Sequence, residues 1–165
     1  MVPPPPVVVI GRACGDVEGA DRRPLAFTLV PRILLATDAD WIHEEVDAAV
    51  AGDDLEVLRV RQGTDVLPAV RELGPDLVIL DLQIGNMGGM AACMDLRLDQ
   101  SVGRLEPVPV LMLLDRDVDA FLASRSDADG WLAKPLDAFR LRKATTALLD
   151  GGTYREGMTE ASTTG

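Results

Sequence analysis

The chain has 165 residues, 47% hydrophobic and 26% charged, the balance of one folded domain whose core needs neither disulfides nor metal. Its 16 Lys and Arg against 27 Asp and Glu leave a formal net charge of −11, which repels nucleic-acid phosphates and anionic lipid and excludes direct nucleic-acid binding through a basic face. Cys14 and Cys93 stand far apart without a CxxC, so neither a zinc site nor a disulfide framework is indicated; the single His43 excludes sites needing two or three histidines, and 4% aromatic residues argue against a base-stacking surface.

Residues 1–31 read as a Pro/Gly-rich N-terminal extension without a core element. Pro3–Pro6 favours an extended backbone lacking internal hydrogen bonds. The apolar run Val7–Ile10 is too short to span a membrane and lacks the charged start of a signal peptide, so the expectation is cytoplasmic residence without membrane insertion. Arg32–Thr37 (RILLAT) is a short apolar run suited to a buried strand. Trp41–Ala51 sets Ile42, Val46, Ala49 and Val50 on one helical stripe, with Asp40 as the expected N-cap. Leu55–Arg61 (LEVLRVR) is a more polar strand, expected nearer an edge. Asp65–Leu73 is a helix with Pro68 in its first turn, stopped by Gly74-Pro75.

Leu77–Leu80 (LVIL) is continuously apolar, as a parallel strand buried on both faces should be. Met90–Leu98 reads as a helix, Val108–Leu114 (VPVLMLL) as a buried strand and Asp117–Ser124 as a short helix. Gly130–Ala133 is a short strand and Leu136–Leu149 a last amphipathic helix. Residues 151–165 read as a loose polar tail. The domain proper is residues 32–150, with strands and helices alternating, hence an α/β parallel sheet with helices on both faces.

In such sheets a ligand site lies beyond the carboxyl ends of the central strands. The residues there are Thr37, Asp38 and Asp40; Asp81 and Gln83; Leu114 and Asp115; Lys134 and Pro135. Two carboxylates and a lysine converging from separate strand ends suit a hard divalent cation with an anion, Mg²⁺ with a phosphoryl group. Helix capping explains Asp40 well and Asp38 partly. It does not explain Asp81, which ends the most buried strand and precedes a Gly-rich loop.

These residues resemble the receiver domains of two-component response regulators. "PDLVILDLQIGNMGG" resembles the phosphoacceptor region, with Asp81 in the acceptor place and Gly89 closing the loop. "RILLATDAD" is similar to the first strand with its acidic pair, "VPVLMLL" to the fourth strand and "GWLAKPL" to the fifth, with Lys134 in the place of the family's lysine. The resemblance spans about residues 32–149. It implies the flavodoxin-like (βα)5 doubly wound fold with core strands ordered 2-1-3-4-5. It also implies a mechanism: a histidine kinase passes a phosphoryl group to Asp81, and Lys134 pairs with it. Mg²⁺ would be held by Asp38, Asp81 and the Gln83 backbone carbonyl.

The chain departs from that pattern in three places. Thr37 replaces the first acid of the pair, which weakens any Mg²⁺ site. Leu114 replaces the strand-four Ser/Thr, removing a charge-assisted hydrogen bond of roughly 1.5–3 kcal/mol that would couple phosphorylation to shape. Gly85 replaces the loop proline. Trp131 stands where the family carries its switch aromatic, and Leu114 and Trp131 are expected to lock one state. His43 is expected on the solvent side of its helix and Cys93 as a packed hydrophobe. Met87, Met90 and Met94 are expected in core and loop packing.

Three function classes follow. A flavodoxin-like cofactor binder fares worst, because "TDAD" after the first strand would repel a flavin phosphate. A conventional receiver phosphorylated on Asp81 is the alternative. The favoured reading is an atypical, stand-alone receiver-like protein, not an enzyme and without catalytic residues. It would act by protein–protein interaction as a regulatory or accessory subunit with a degraded phospho-switch. Its partner, a histidine kinase or larger assembly, would contact residues 1–31 and the face of the fourth helix, fifth strand and fifth helix. That face is expected to carry Phe121, Leu122, Trp131, Phe139 and Leu141.

Overall fold

The structure, a computed structural model, describes residues 8–10, 30–51 and 54–156. The strands are β1 (Val8–Ile10), β2 (Arg32–Ala36), β3 (Glu56–Val60), β4 (Leu77–Asp81), β5 (Val110–Leu114), β6 (Gly130–Ala133) and β7 (Tyr154–Arg155). The helices are α1 (Asp40–Val50), α2 (Val66–Leu73), α3 (Gly88–Ser101), α4 (Ala120–Arg125) and α5 (Ala138–Leu149), with 3₁₀ turns at Gly63–Asp65 and Asp117–Asp119. One sheet runs β1-β3-β2-β4-β5-β6-β7. Every pairing is parallel except β1 on β3. Counted alone, the core strands β2 to β6 lie in the expected order 2-1-3-4-5.

Strand alternation sorts the core into two layers. Leu34, Val78, Leu80, Val110, Met112 and Leu114 pack with Val66, Ala69 and Val70 of α2, Ala92, Cys93 and Leu96 of α3, and Ala120 and Ala123 of α4. Ile33, Leu35, Ile79, Leu111 and Leu113 pack on the other face with Ile42, Val46 and Ala49 of α1 and Leu141, Ala144 and Leu148 of α5. Both layers draw on β2, β4 and β5, which is why these strands read as unbroken apolar runs. The helix α2 ends where Gly74 turns left-handed at φ 57°, a conformation glycine adopts without a Cβ clash.

Gly89 sets how closely α3 meets the end of β4. A Cβ built there would lie 2.5 Å from the Asp81 carbonyl oxygen and 2.9 Å from Leu82 Cα. Both obstacles are backbone, so neither can rotate away. Gly89→Ala is expected to cost about 1–3 kcal/mol, read as a lower denaturant midpoint with an unchanged slope. An unchanged midpoint would show that α3 can slide.

Two expectations are corrected at the sheet edges. The extension is not without a core element, because Val8–Ile10 pairs antiparallel with Val57–Arg59. The β-branched Val-Val-Ile run suits a strand, and β3 otherwise presents an open edge. The polar strand β3 is therefore covered, and Val57 to Val60 are buried. The tail is not loose from its start either. Tyr154–Arg155 pairs with Gly130–Trp131 after the chain reverses at Gly151, φ 85°. Pro3–Pro6 and residues 157–165 lie outside the described residues.

Asp40 does not cap α1. Ala39 holds the cap position without a side-chain bond. The Asp40 carboxylate instead accepts from Arg59 at 2.9 Å and Arg61 at 3.0 Å. Those hydrogen bonds hold its pKa below the ordinary carboxylate value. Among the described residues no helix is long and apolar enough to cross a membrane.

Candidate functional site

Asp81 ends β4, a strand buried along its whole length, and its side chain is buried too. Neither carboxylate oxygen is left bare. Oδ1 accepts from the Gln83 backbone N–H at 3.1 Å and from Lys134 Nζ at 2.8 Å. Oδ2 accepts from the Thr37 hydroxyl at 2.8 Å. Thr37 directly follows β2 and is wholly buried, and its oxygen in turn accepts from the Ala39 N–H at 3.1 Å. The hydroxyl's one proton is thereby committed to Asp81.

Lys134 leaves the end of β6, fixed by its backbone N–H to the Leu114 carbonyl at 2.8 Å and followed by a cis peptide to Pro135. Its ammonium bridges Asp81 and Asp115, the latter at 2.9 Å, and lies 5.9 Å from the Trp41 ring centroid. Asp115 and Trp41 are thus part of the site. Asp115 was legible only as a strand-end acid, and nothing local in the sequence pointed to Trp41. Asp38 is exposed, and its Oδ2 accepts from the Gly85 N–H at 3.2 Å. The structure therefore brings Thr37, Asp38, Asp81, Gln83 and Lys134 to one end of the sheet, with Asp115 completing the cluster.

The family implies Mg²⁺ here, and the donor set fits it poorly. The carboxylates of the cluster, Asp38, Asp81 and Asp115, all already accept protein hydrogen bonds, Asp115 from the lysine that also holds Asp81. Among the described residues no group of three acidic, histidine or cysteine side chains could hold a metal. Mg²⁺ demands near-ideal oxygen ligation and gives up water reluctantly, so a missing acid is felt strongly.

Leu114 is fully buried at the end of β5, in the same apolar cluster as Trp131. Trp131 is buried and bracketed by Arg155 and Glu156. The Arg155 guanidinium lies 5.4 Å from its ring centroid, and the Glu156 N–H donates to its carbonyl at 3.2 Å. Arg140 of α5 pairs with Glu156, which also accepts from the Tyr154 hydroxyl at 3.1 Å.

The expected contact face changes in membership. Phe121, Leu122 and Phe139 are exposed on it, joined by Val118, but Trp131 and Leu141 are buried. Phe139 and Leu141 lie two positions apart on α5, and helical phase turns one outward and the other onto the sheet. His43 is half-buried, not solvent-facing. Burial lowers its pKa, and the Arg59 charge acts in the same direction. Cys93 is packed as expected, and burial raises its thiol pKa. Of the methionines, Met90 packs against the core while Met87 and Met94 are exposed.

Comparison with known proteins agrees with this geometry. The profile of the response regulator receiver domain matches residues 33–146. The DNA-binding response regulator MtrA of Mycobacterium tuberculosis is 36% identical over 108 residues, covering 66% of this chain and 46% of that protein. The transcriptional regulatory protein AfsQ1 of Streptomyces coelicolor is 29% identical over 135 residues, covering 81% of this chain and 57% of that protein. The chain thus spans about half the length of these curated relatives. A putative response regulator from Chloroflexus aurantiacus superposes with a TM-score of 0.66 at 23% identity, over 74% of this chain and 99% of that one. The chemotaxis protein CheY4 of Vibrio cholerae gives 0.63 at 23% identity, over 72% and 98%. At that identity the solved structures show a shared fold. With the profile covering most of the chain and Asp81 and Lys134 paired at the sheet's end, this chain belongs to the response regulator receiver domain family of two-component signalling.

Proposed function

We propose that this chain is an atypical receiver, non-enzymatic, that acts by protein–protein contact as a regulatory or accessory subunit with a degraded phospho-switch. The observation that carries the reading is the Thr37 hydroxyl on Asp81 Oδ2, where the family's first metal-binding acid would stand. A neutral donor replaces a charge, so Mg²⁺ held by Asp38, Asp81 and the Gln83 carbonyl is weak. Two further features support it. Leu114 has no hydroxyl to follow a phosphoryl group, which removes about one to two decades of leverage on the conformational equilibrium. Trp131, the switch aromatic, is held by the strand β7.

The partner, a histidine kinase or a larger assembly, docks on Val118, Phe121, Leu122 and Phe139 beside α4, β6 and α5. Residues 1–31 supply a second contact. Localisation is cytoplasmic, and contact with nucleic acid or membrane is indirect.

The test is incubation with Mg²⁺ and a small phosphodonor. Intact mass should show little phosphoryl gain, and Trp131 fluorescence in a Trp41→Phe background should stay constant. Full modification with a Trp131 shift overturns the reading. It would favour a conventional receiver phosphorylated on Asp81, which the 2.8 Å Lys134–Asp81 pair supports. Co-purification with Asp81→Asn separates the two further: partner binding should survive the substitution in the first reading and be lost in the second.

A further inference from the structure

The lysine that reaches Asp81 is itself held from behind. Lys134 stands between Ala133 and Pro135, and the carbonyls of both accept from one guanidinium. Arg140, in the first turn of α5, donates from one terminal nitrogen to Pro135 at 2.8 Å and from the other to Ala133 at 2.9 Å. The backbone on both sides of Lys134 is thereby tied to α5. The same fork has a third engagement. Its Nε donates to Glu156 Oε2 at 2.9 Å, and the nitrogen that holds Ala133 also pairs with Glu156 Oε1. A planar guanidinium gripped along one edge by a carboxylate has its remaining donors aimed in fixed directions. The Asp137 carboxylate also faces Arg140, at 3.6 Å, but it is exposed and its other oxygen caps α5.

Glu156 arrives from the sheet edge. It directly follows β7, and its N–H donates to the Trp131 carbonyl at 3.2 Å. Its Oε2 also accepts from the Tyr154 hydroxyl at 3.1 Å. The Arg140 and Glu156 side chains are 28% and 26% exposed, so the pair is sheltered enough to keep one geometry. Glu156 lies beyond residues 33–146, the stretch that the receiver profile matches. We infer that Glu156 is a positioning residue for Lys134: seated by β7, it aims the Arg140 fork, which fixes the Lys134 backbone so that the ammonium meets Asp81. This goes beyond the reading above and does not depend on phosphorylation, because the Lys134–Asp81 pair is present in the unmodified protein. It gives the segment after α5 a hold on the site at the opposite end of the relay. Any event that lifts β7 from β6 loosens Lys134 through Arg140.

The chain contains two lysines, Lys134 and Lys143, and Lys143 is exposed on α5, so it serves as an internal reference. The full chain is treated with a limiting amount of an acetylating ester, and acetylation at each lysine is read by peptide mass spectrometry. In wild type, Lys134 is bound to two carboxylates and should label far more slowly than Lys143. Glu156→Gln keeps the shape and removes the charge. It should raise Lys134 labelling about three- to tenfold and leave Lys143 unchanged. Arg140→Gln should raise it as much, and the double variant no further, since both residues act along one path. Trp131 fluorescence, read in a Trp41→Phe background, should not move with Glu156→Gln, because β7 stays paired. Unchanged Lys134 labelling in Glu156→Gln overturns the inference. So does a matching rise at Lys143, which would mean that α5 frays as a whole. A Trp131 shift would mean that Glu156 only fastens β7, and additive effects in the double variant would mean that it acts by another route; either result overturns it as well.

Discussion

Lys134→Met should destabilise the fold by about 3–5 kcal/mol, because it strips the cation from a carboxylate that stays buried. The two side chains are 11% and 3% exposed, so water replaces little of what is lost. Thr37 and the Gln83 N–H still donate to Asp81, which places the effect at the lower end of that range. Asp115 loses the same ammonium but is more open to solvent and contributes less. The decisive comparison is the double substitution. Asp81→Asn in the Lys134→Met background removes the orphaned charge and should recover most of the lost stability in urea unfolding. The pair would then show a coupling free energy that distant sites do not. If Lys134→Met alone leaves the midpoint unchanged, the ion pair does not hold the sheet's end together.

Thr37→Asp should turn a protein that responds weakly to Mg²⁺ into a metal-dependent one. The hydroxyl that donates to Asp81 Oδ2 is replaced by a carboxylate against a carboxylate. Like unit charges near 4 Å cost about 4 kcal/mol at an effective dielectric of about 20. Lys134 offsets part of this, so a loss of about 2–4 kcal/mol is expected in the presence of a chelator. Adding Mg²⁺ should reverse it, since the introduced carboxylate restores the acid the site lacks beside Asp38 and Asp81. At a metal concentration one hundred times Kd the recovery is about 2.7 kcal/mol. Wild type should show a much smaller melting shift over the same titration. Trp41, half-exposed beside Lys134, gives an independent fluorescence readout of the same event. A wild-type shift as large as the variant's would mean that Thr37 does not weaken the metal site, and the atypical reading would lose its main support.

These effects trace to contacts that differ in how far they could be read along the chain. The runs LVIL and VLMLL announce buried parallel strands, because a strand covered on both faces has no polar alternation to interrupt it. The order of five such runs with helices between them leaves little choice of topology. The acid after LVIL and the lysine after GWLA stand at strand ends, where any chain of this topology gathers its site. The departures at Thr37 and Leu114 are residue identities, visible without coordinates.

The edge strands β1 and β7 were not legible in the same way. Three residues and two residues carry no period of their own. They are strands only because β3 and β6 offer them hydrogen-bonding edges. His43 was misplaced because its burial depends on how α1 docks, which its own helix does not show. The same holds for Asp40, drawn from a capping role by Arg59 and Arg61, about twenty residues away. The outward phase of Phe139 against the inward phase of Leu141 also required the docked helix.

Fold class, strand order and the positions of Asp81, Lys134, Thr37 and Leu114 were therefore written in local pattern, because burial and periodicity are properties of neighbouring residues. Which atom meets Asp81 Oδ2 and what pins Trp131 were decided by residues tens of positions apart, and only packing the sheet brought those partners within reach.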